Sequence, residues 1–299
     1  MATKSIFVVG AGLMGSGIAQ VAAQAGYETK LYDISKDALD RAMASIKNSL
    51  DKFASKGKLT QEQVDNAVAN LSTTSSLEEA SQSDLIIEAV FENVELKQEI
   101  FQQLDTICKP EAILATNTSA IAISKIASIT KRPDKVVGLH FFSPVPLMKL
   151  VEIVSGVKTS QETIDEVSKV AANFGKEAVL VRKDFGGFIV NRVYLPYIRM
   201  ALLTLTEGVA SVEEMDKAVK LGLGYPMGPF ELGDMVGWDV MYNAMNAIYH
   251  DTDETAFAPP LLLKRLVDAG VLGKKTGEGF YLYNDKGQKI GVNAKLAII

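Results

Sequence analysis

Gly10, Gly12 and Gly15 stand in the spacing G-x-G-x-x-G, directly after the β-branched run Ser5–Gly10 and directly before an apolar stretch of helical length. In that setting the three glycines have separate tasks. The first makes a tight turn, the second lets a pyrophosphate approach the backbone, and the third packs helix on strand. The pyrophosphate then lies on the positive N-terminus of the helix, and Leu13 and Met14 in its first turn count among the cofactor-binding positions. Asp33 ends the second predicted strand, eighteen residues beyond Gly15. A carboxylate there takes the hydroxyls of an adenosine ribose. It also repels a 2′-phosphate, and Ile34 supplies no cation, so the expected cofactor is NAD rather than NADP.

The chain has two histidines. His250, beside Tyr249, reads as structural or solvated. His140 lies toward the carboxyl end of the predicted strand Lys135–Phe142, where open α/β sheets bind ligands. Pro146 is six residues from His140 and six from Glu152, so a hairpin through SPVPLM sets the two side chains opposite each other. A carboxylate beside an imidazole fixes its tautomer and favours the cation, which suits a general acid/base. Spacing alone fits a satisfied buried ion pair equally well. Asn117-Thr118-Ser119 follows the predicted strand Ile113–Thr116, and a hydroxyl there binds a substrate oxygen or a nicotinamide amide, or else caps the next helix. Asn191, a polar amide within FIVNRVYL, needs a partner when buried, as a site residue or as a helix-packing clamp. One cysteine, Cys108, and two distant histidines give no metal site.

These residues need a scaffold, and the chain alternates strand and helix as far as Arg182. Strands are expected at Ser5–Gly10, Thr29–Tyr32, Asp84–Ala89, Ile113–Thr116, Lys135–Phe142, Leu150–Val154 and Ala178–Arg182. Helices fall between most of them, which implies a mostly parallel sheet covered on both faces. Residues 36–70 form a charged helical hairpin, broken at Lys56-Gly57-Lys58 and restarted at the capping box Thr60–Gln63, and they read as a solvated arm. After Asp184-Phe185-Gly186-Gly187 the character becomes helical, with helices expected near 188–208 (kinked at Pro196), 212–221, 233–248 and 259–269. The expected domains are 1–185, 186–283 and a C-terminal tail, 284–299, that frays.

The sequence length, 299 residues, suits two domains. The net charge of −5 leaves no basic footprint for nucleic acid. Ser5–Tyr27 carries no charge, but five glycines and two glutamines interrupt it, which suits a buried strand, turn and helix rather than a membrane span or signal peptide. A soluble, cytoplasmic protein is expected, and the lone cysteine agrees with a reducing compartment.

The motifs VVGAGLMGSGIAQ, EAVFENVELKQEIF, ATNTSAI, GLHFFSPVPLMKLVEI, GGFIVNR, LGYPMGPFELGD and GKKTGEGFY, in this order, resemble the short-chain L-3-hydroxyacyl-CoA dehydrogenases from Ile6 to about Tyr283. The bacterial 3-hydroxybutyryl-CoA dehydrogenases are the most similar group. The resemblance implies a Rossmann-type α/β domain and an all-helical C-terminal domain that forms a homodimer. It also implies hydride transfer between NAD(H) and C3 of an acyl-CoA, in butyrate or fatty-acid metabolism. His140 is then the general acid/base and Glu152 its orienting partner, while Ser119 and Asn191 line the reacting carbonyl. Asp33, Glu92, Lys97 and Lys275 match cofactor-site positions, and Ser49 and Lys56 match positions that contact CoA, which makes the arm a landing place for its phosphates. Ser143 departs from the Asn frequent in the family; its hydroxyl still hydrogen-bonds, so cofactor affinity is tuned rather than lost. The rival readings are a β-hydroxyacid dehydrogenase acting on a non-CoA substrate and a non-catalytic NAD-binding relative.

Overall fold

The computed structural model describes residues 3–297, and the chain divides between Phe188 and Ile189 into two compact units. In the first unit β1 (Ser5–Val9) is central. Ile6 and Val8 enter one hydrophobic cluster, while Phe7 and Val9 enter the other. A strand apolar from Ile6 to Val9 is thus buried on both faces of the sheet. It is followed by α1 (Leu13–Gln24), β2 (Glu28–Tyr32), α2 (Lys36–Ser55) and α3 (Gln61–Ala69), the last opened by the Thr60–Gln63 capping box.

The helical pair α2–α3 is not a free arm. Leu39, Ala42, Ile46 and Leu50 form one buried stripe on α2, and with Val64 and Ala67 they join the cluster that holds Ile18 and Ala22 of α1. Steps of three and four residues place that stripe on one face, so the charges occupy the other. The high charge content of the segment masks this amphipathic pattern in the sequence.

The strand β3 (Leu71–Thr74) was not expected. It reads LSTT, with only Leu71 and Thr74 buried, and as an edge strand it lacks the apolar run that marks its neighbours. Next come β4 (Leu85–Glu88), α4 (Val94–Ile107), β5 (Ile113–Thr116), α5 (Ile123–Ala127), β6 (Val136–Phe141), β7 (Leu150–Val154), α6 (Gln161–Asn173) and β8 (Glu177–Val181). The eight strands lie in the order β3-β2-β1-β4-β5-β6-β7-β8, parallel throughout except between β6 and β7. The chain reverses its direction of winding between β1 and β4, which opens a ligand crevice at their carboxyl ends.

The second unit holds α7 (Val190–Thr206), which runs through Pro196, then α8 (Val212–Leu223), α9 (Pro229–Val236), α10 (Trp238–Thr252) and α11 (Leu261–Asp268). The single helix expected over 233–248 is two. Gly237, at φ 105°, breaks the path. A Cβ on Gly233 would stand 2.2 Å from the Trp238 ring, so the indole folds back over α9 at that glycine.

The unit is not all-helical, because β9 (Tyr281–Tyr283) and β10 (Lys289–Val292) form an antiparallel hairpin. The tail does not fray as far as Ala297, whose carbonyl accepts from Val212 N at 3.2 Å. Asn293, only 4% exposed, donates to Glu278 Oε1 and to Gly279 O. The last two residues, Ile298 and Ile299, lie outside the described residues. Asp234 ties hairpin to helices: its carboxylate accepts from Trp238 Nε1, Phe280 N, Tyr281 N and Tyr283 OH. Burial pushes its carboxyl above the ordinary range, against the pull of these four donors.

Candidate active site

The glycine loop joins β1 to α1. Gly10 turns at φ 104°, and a Cβ there would stand 2.8 Å from Ala89 O at the end of β4. A Cβ on Gly15 would lie 1.8 Å from Gly10 O, so only hydrogen allows α1 to begin this close to the strand. Gly12 is the N-cap of α1 and carries no capping side chain, and a Cβ there meets no atom within 4 Å. The first amides of α1, among them those of Leu13 and Met14, therefore remain open to an outside acceptor. Asp33 stands beside the loop, accepting from Ala11 N at 2.8 Å and from Ser35 N at 2.9 Å. Open helix amides and a carboxylate at the end of β2 fit a dinucleotide with free ribose hydroxyls.

His140 is the penultimate residue of β6, and the antiparallel register sets it opposite Glu152. Nδ1 lies 2.7 Å from Glu152 Oε2, with 7% and 1% of the two side chains exposed. A carboxylate offers only acceptors, so with Glu152 ionised the Nδ1 position carries the proton and Nε2 is the nitrogen left for a substrate. The rings of Phe142 and Phe188 both pack against the imidazole, at 4.6 and 5.6 Å between centroids.

Ser119 sits beyond the end of β5 in a turn held by Glu92. Glu92 Oε1 accepts from Thr118 Oγ1, Ser119 N, Ser119 Oγ and Ala120 N. Lys97 is 1% exposed and reaches Glu88 Oε1 at 2.7 Å, Glu92 Oε2 at 3.4 Å and Val90 O at 3.4 Å. Three acceptors occupy the ammonium, so Lys97 holds Glu92 in place. Glu88 completes the chain by accepting from Thr116 Oγ1. Asn117 Oδ1 accepts from Phe141 N, which binds this turn to the residue after His140.

Sequence reasoning missed Lys176. It is 8% exposed, precedes β8, and donates to Val145 O at 2.5 Å and Met148 O at 2.8 Å. It thereby fastens the β6–β7 loop that bears the exposed Ser143. Desolvation lowers its pKa. The same loop meets α1 at Gly17, where a Cβ would stand 2.8 Å from Val145 Cβ. A lone lysine after a glycine carries no sequence signal, and only the fold supplies its carbonyl partners.

The other candidates lie elsewhere. Ser49, half-buried on α2, and Lys56, exposed at its C-cap, are seven residues apart and share a helix face. Asn191 is the second residue of α7, and Lys275 pairs with Asp239 at 2.5 Å; both belong to the second unit.

The cofactor reading gives a first expected result. Asp33→Ala combined with Ile34→Arg should narrow or reverse the preference for NADH over NADPH. Steady-state kcat/KM for both cofactors checks it, and equal wild-type values would remove Asp33 from this role.

Residues 5–185 match the family of 3-hydroxyacyl-CoA dehydrogenase NAD-binding domains, and residues 187–283 match the C-terminal domain of the same enzymes. A 3-hydroxybutyryl-CoA dehydrogenase of Clostridioides difficile is 44% identical over 277 residues, covering 93% of this chain and 98% of the relative. One from Bradyrhizobium diazoefficiens is 43% identical over 280 residues, covering 94% and 95%. The crystal structure of (S)-3-hydroxybutyryl-CoA dehydrogenase from Ralstonia eutropha superposes with a TM-score of 0.90 at 40% identity, covering 95% of this chain and all of that one. The glycine loop with Asp33, the buried His140–Glu152 pair and matches running through both units lead to one assignment: the chain belongs to the 3-hydroxyacyl-CoA dehydrogenase family.

Proposed function

We propose that this protein interconverts (S)-3-hydroxybutyryl-CoA and acetoacetyl-CoA with NAD(H). The observation that carries the reading is the buried His140–Glu152 pair at the carboxyl edge of the sheet. When bound, the nicotinamide cofactor delivers hydride to C3 of the acyl chain or removes it. The glycine loop holds the pyrophosphate on the amides of α1, and Asp33 takes the ribose hydroxyls. In the reducing direction His140, as imidazolium, gives its Nε2 proton to the oxygen on C3. Glu152 holds the ring through Nδ1 and stabilises its charge. In the oxidising direction neutral His140 takes the hydroxyl proton at Nε2. Ser119, in the turn set by Glu92, and Asn191 orient that oxygen. Ser143 and Lys275 complete the cofactor side.

Ser49 and Lys56 on one face of α2 receive the CoA moiety. Lys56→Glu should raise KM for acetoacetyl-CoA severalfold and leave KM for NADH unchanged, while Lys47→Glu, at an exposed position nearby, should do less. Indistinguishable KM values for wild type and Lys56→Glu would count against the arm.

The reading includes a homodimer formed through the second unit, where Val193, Met200, Leu221 and Leu223 are exposed apolar residues. It includes a cytoplasmic location, in keeping with the single buried Cys108; no helix among the described residues is long and apolar enough to cross a membrane. The deciding experiment follows NADH oxidation with acetoacetyl-CoA against free acetoacetate, then with 3-oxoacyl-CoAs of increasing length. Turnover of the thioester but not the free acid supports the proposal. The reverse preference would favour a dehydrogenase of free hydroxy acids, and no turnover of either a non-catalytic relative.

A further inference from the structure

Phe188 stands out twice. It is one of two non-glycine residues with positive φ among the described residues, at 51°. Left-handed backbone is a true exception for a bulky aromatic residue and persists where the surroundings impose it. The residue is also 4% exposed, and its ring meets the His140 ring edge-on at 5.6 Å with 63° between planes.

The local chain explains how the ring arrives there. Asp184 Oδ2 accepts from Ser124 N at 2.6 Å, which fastens the segment to α5. Gly187 turns at φ 83°, and Phe188 N closes the turn onto Phe185 O at 3.0 Å. A right-handed Phe188 would send its Cβ in a different direction. Left-handed geometry therefore directs the side chain into the cluster with Ile123, Ile126, Val136 and Val154 and against the imidazole.

We propose that Phe188 is a positioning residue for His140. Glu152 holds one nitrogen of the imidazole, but a single hydrogen bond leaves the ring free to tilt about it. Phe142 and Phe188 pack against the ring and restrict that freedom. Phe188 thereby keeps Nε2 at the angle the C3 oxygen requires, and a tilt of the ring costs turnover before it costs cofactor binding. This inference rests on the role given above to His140.

The two histidines make the test direct. In a His250→Gln background the only imidazole signals come from His140, and NMR of the apo protein reads its ring without any turnover. Phe188→Leu removes the ring contact and should move and broaden the His140 signals. It should lower kcat about tenfold or more while KM for NADH changes less than about twofold, since tenfold corresponds to about the free energy of one modest contact. Phe188→Tyr keeps the aromatic face and should restore both the narrow signals and most of kcat. If Phe188→Leu does not fold, Phe188→Met fills the same space with a flexible chain and is read the same way. Unchanged His140 signals in a folded variant overturn the proposal, even with reduced kcat. So does a Phe188→Tyr enzyme as slow as the leucine variant. A wild type inert toward acetoacetyl-CoA would sink the substrate reading, and the NMR comparison would still decide Phe188.

Discussion

His140→Ala is expected to lower kcat for acetoacetyl-CoA reduction by about 10²–10⁴-fold, the usual contribution of general acid/base catalysis. KM for NADH should stay close to wild type, because in the proposed site the glycine loop and Asp33, not this pair, hold the cofactor. Glu152→Gln keeps the shape and a hydrogen-bonding side chain but removes the charge. Its amide also presents a donor as readily as an acceptor toward Nδ1, so the Nδ1–H tautomer, which leaves Nε2 free to exchange the substrate's proton, is no longer enforced. It should fall by a comparable factor. The 2.7 Å contact makes the two residues one unit, so the double variant should be little slower than either single one. Steady-state kinetics on the three variants checks this. If the two losses multiplied, or if Glu152→Gln were fully active, Glu152 would be a structural carboxylate. Loss of the buried partner also has a folding cost, so each variant needs a thermal melt beside its kinetics.

Gly15→Ala is expected to weaken cofactor binding and to destabilise the first unit. In an exposed helix the change would stabilise by roughly 1 kcal/mol, since alanine is the better helix former. Here the new methyl would stand 1.8 Å from Gly10 O, and the atom it meets is backbone rather than a mobile side chain. Either α1 or the Gly10 turn must move. Overpacking of this kind costs about 1–3 kcal/mol, which outweighs the propensity gain. The displacement falls on the amides proposed to receive the pyrophosphate, so KM for NADH should rise about tenfold or more, equivalent to about 1.4 kcal/mol of binding. Gly12→Ala is the informative control. Its Cβ meets no protein atom, so the fold should survive while NADH affinity drops from the methyl in the pyrophosphate's path. Melting curves and NADH titration separate the two. A Gly15→Ala protein with wild-type stability and affinity would contradict the packing argument.

Much of this protein was determined locally. Five glycines within an uncharged run, alternating apolar strands and the capping box at Thr60 each state their structure within a few residues. Their physical causes, backbone freedom, periodic burial and terminal hydrogen bonding, act at short range. The His140–Glu152 contact also belongs here, because two strands and one loop of known length determine what lies opposite what. Tertiary structure decided the rest. The polar edge strand β3 exists because β2 offers it unpaired backbone groups, not because LSTT prefers to extend. The hairpin of Tyr281–Tyr283 with Lys289–Val292 depends on Asp234, forty-seven residues before Tyr281, to satisfy its amides. Lys176 finds Val145 and Met148, and Phe188 finds His140, across gaps of 28 to 48 residues that no spacing rule spans. A short-range pattern can say which residues are able to do chemistry. Burial and partners, which set tautomer, orientation and the order of a loop, come only from packing those segments against one another.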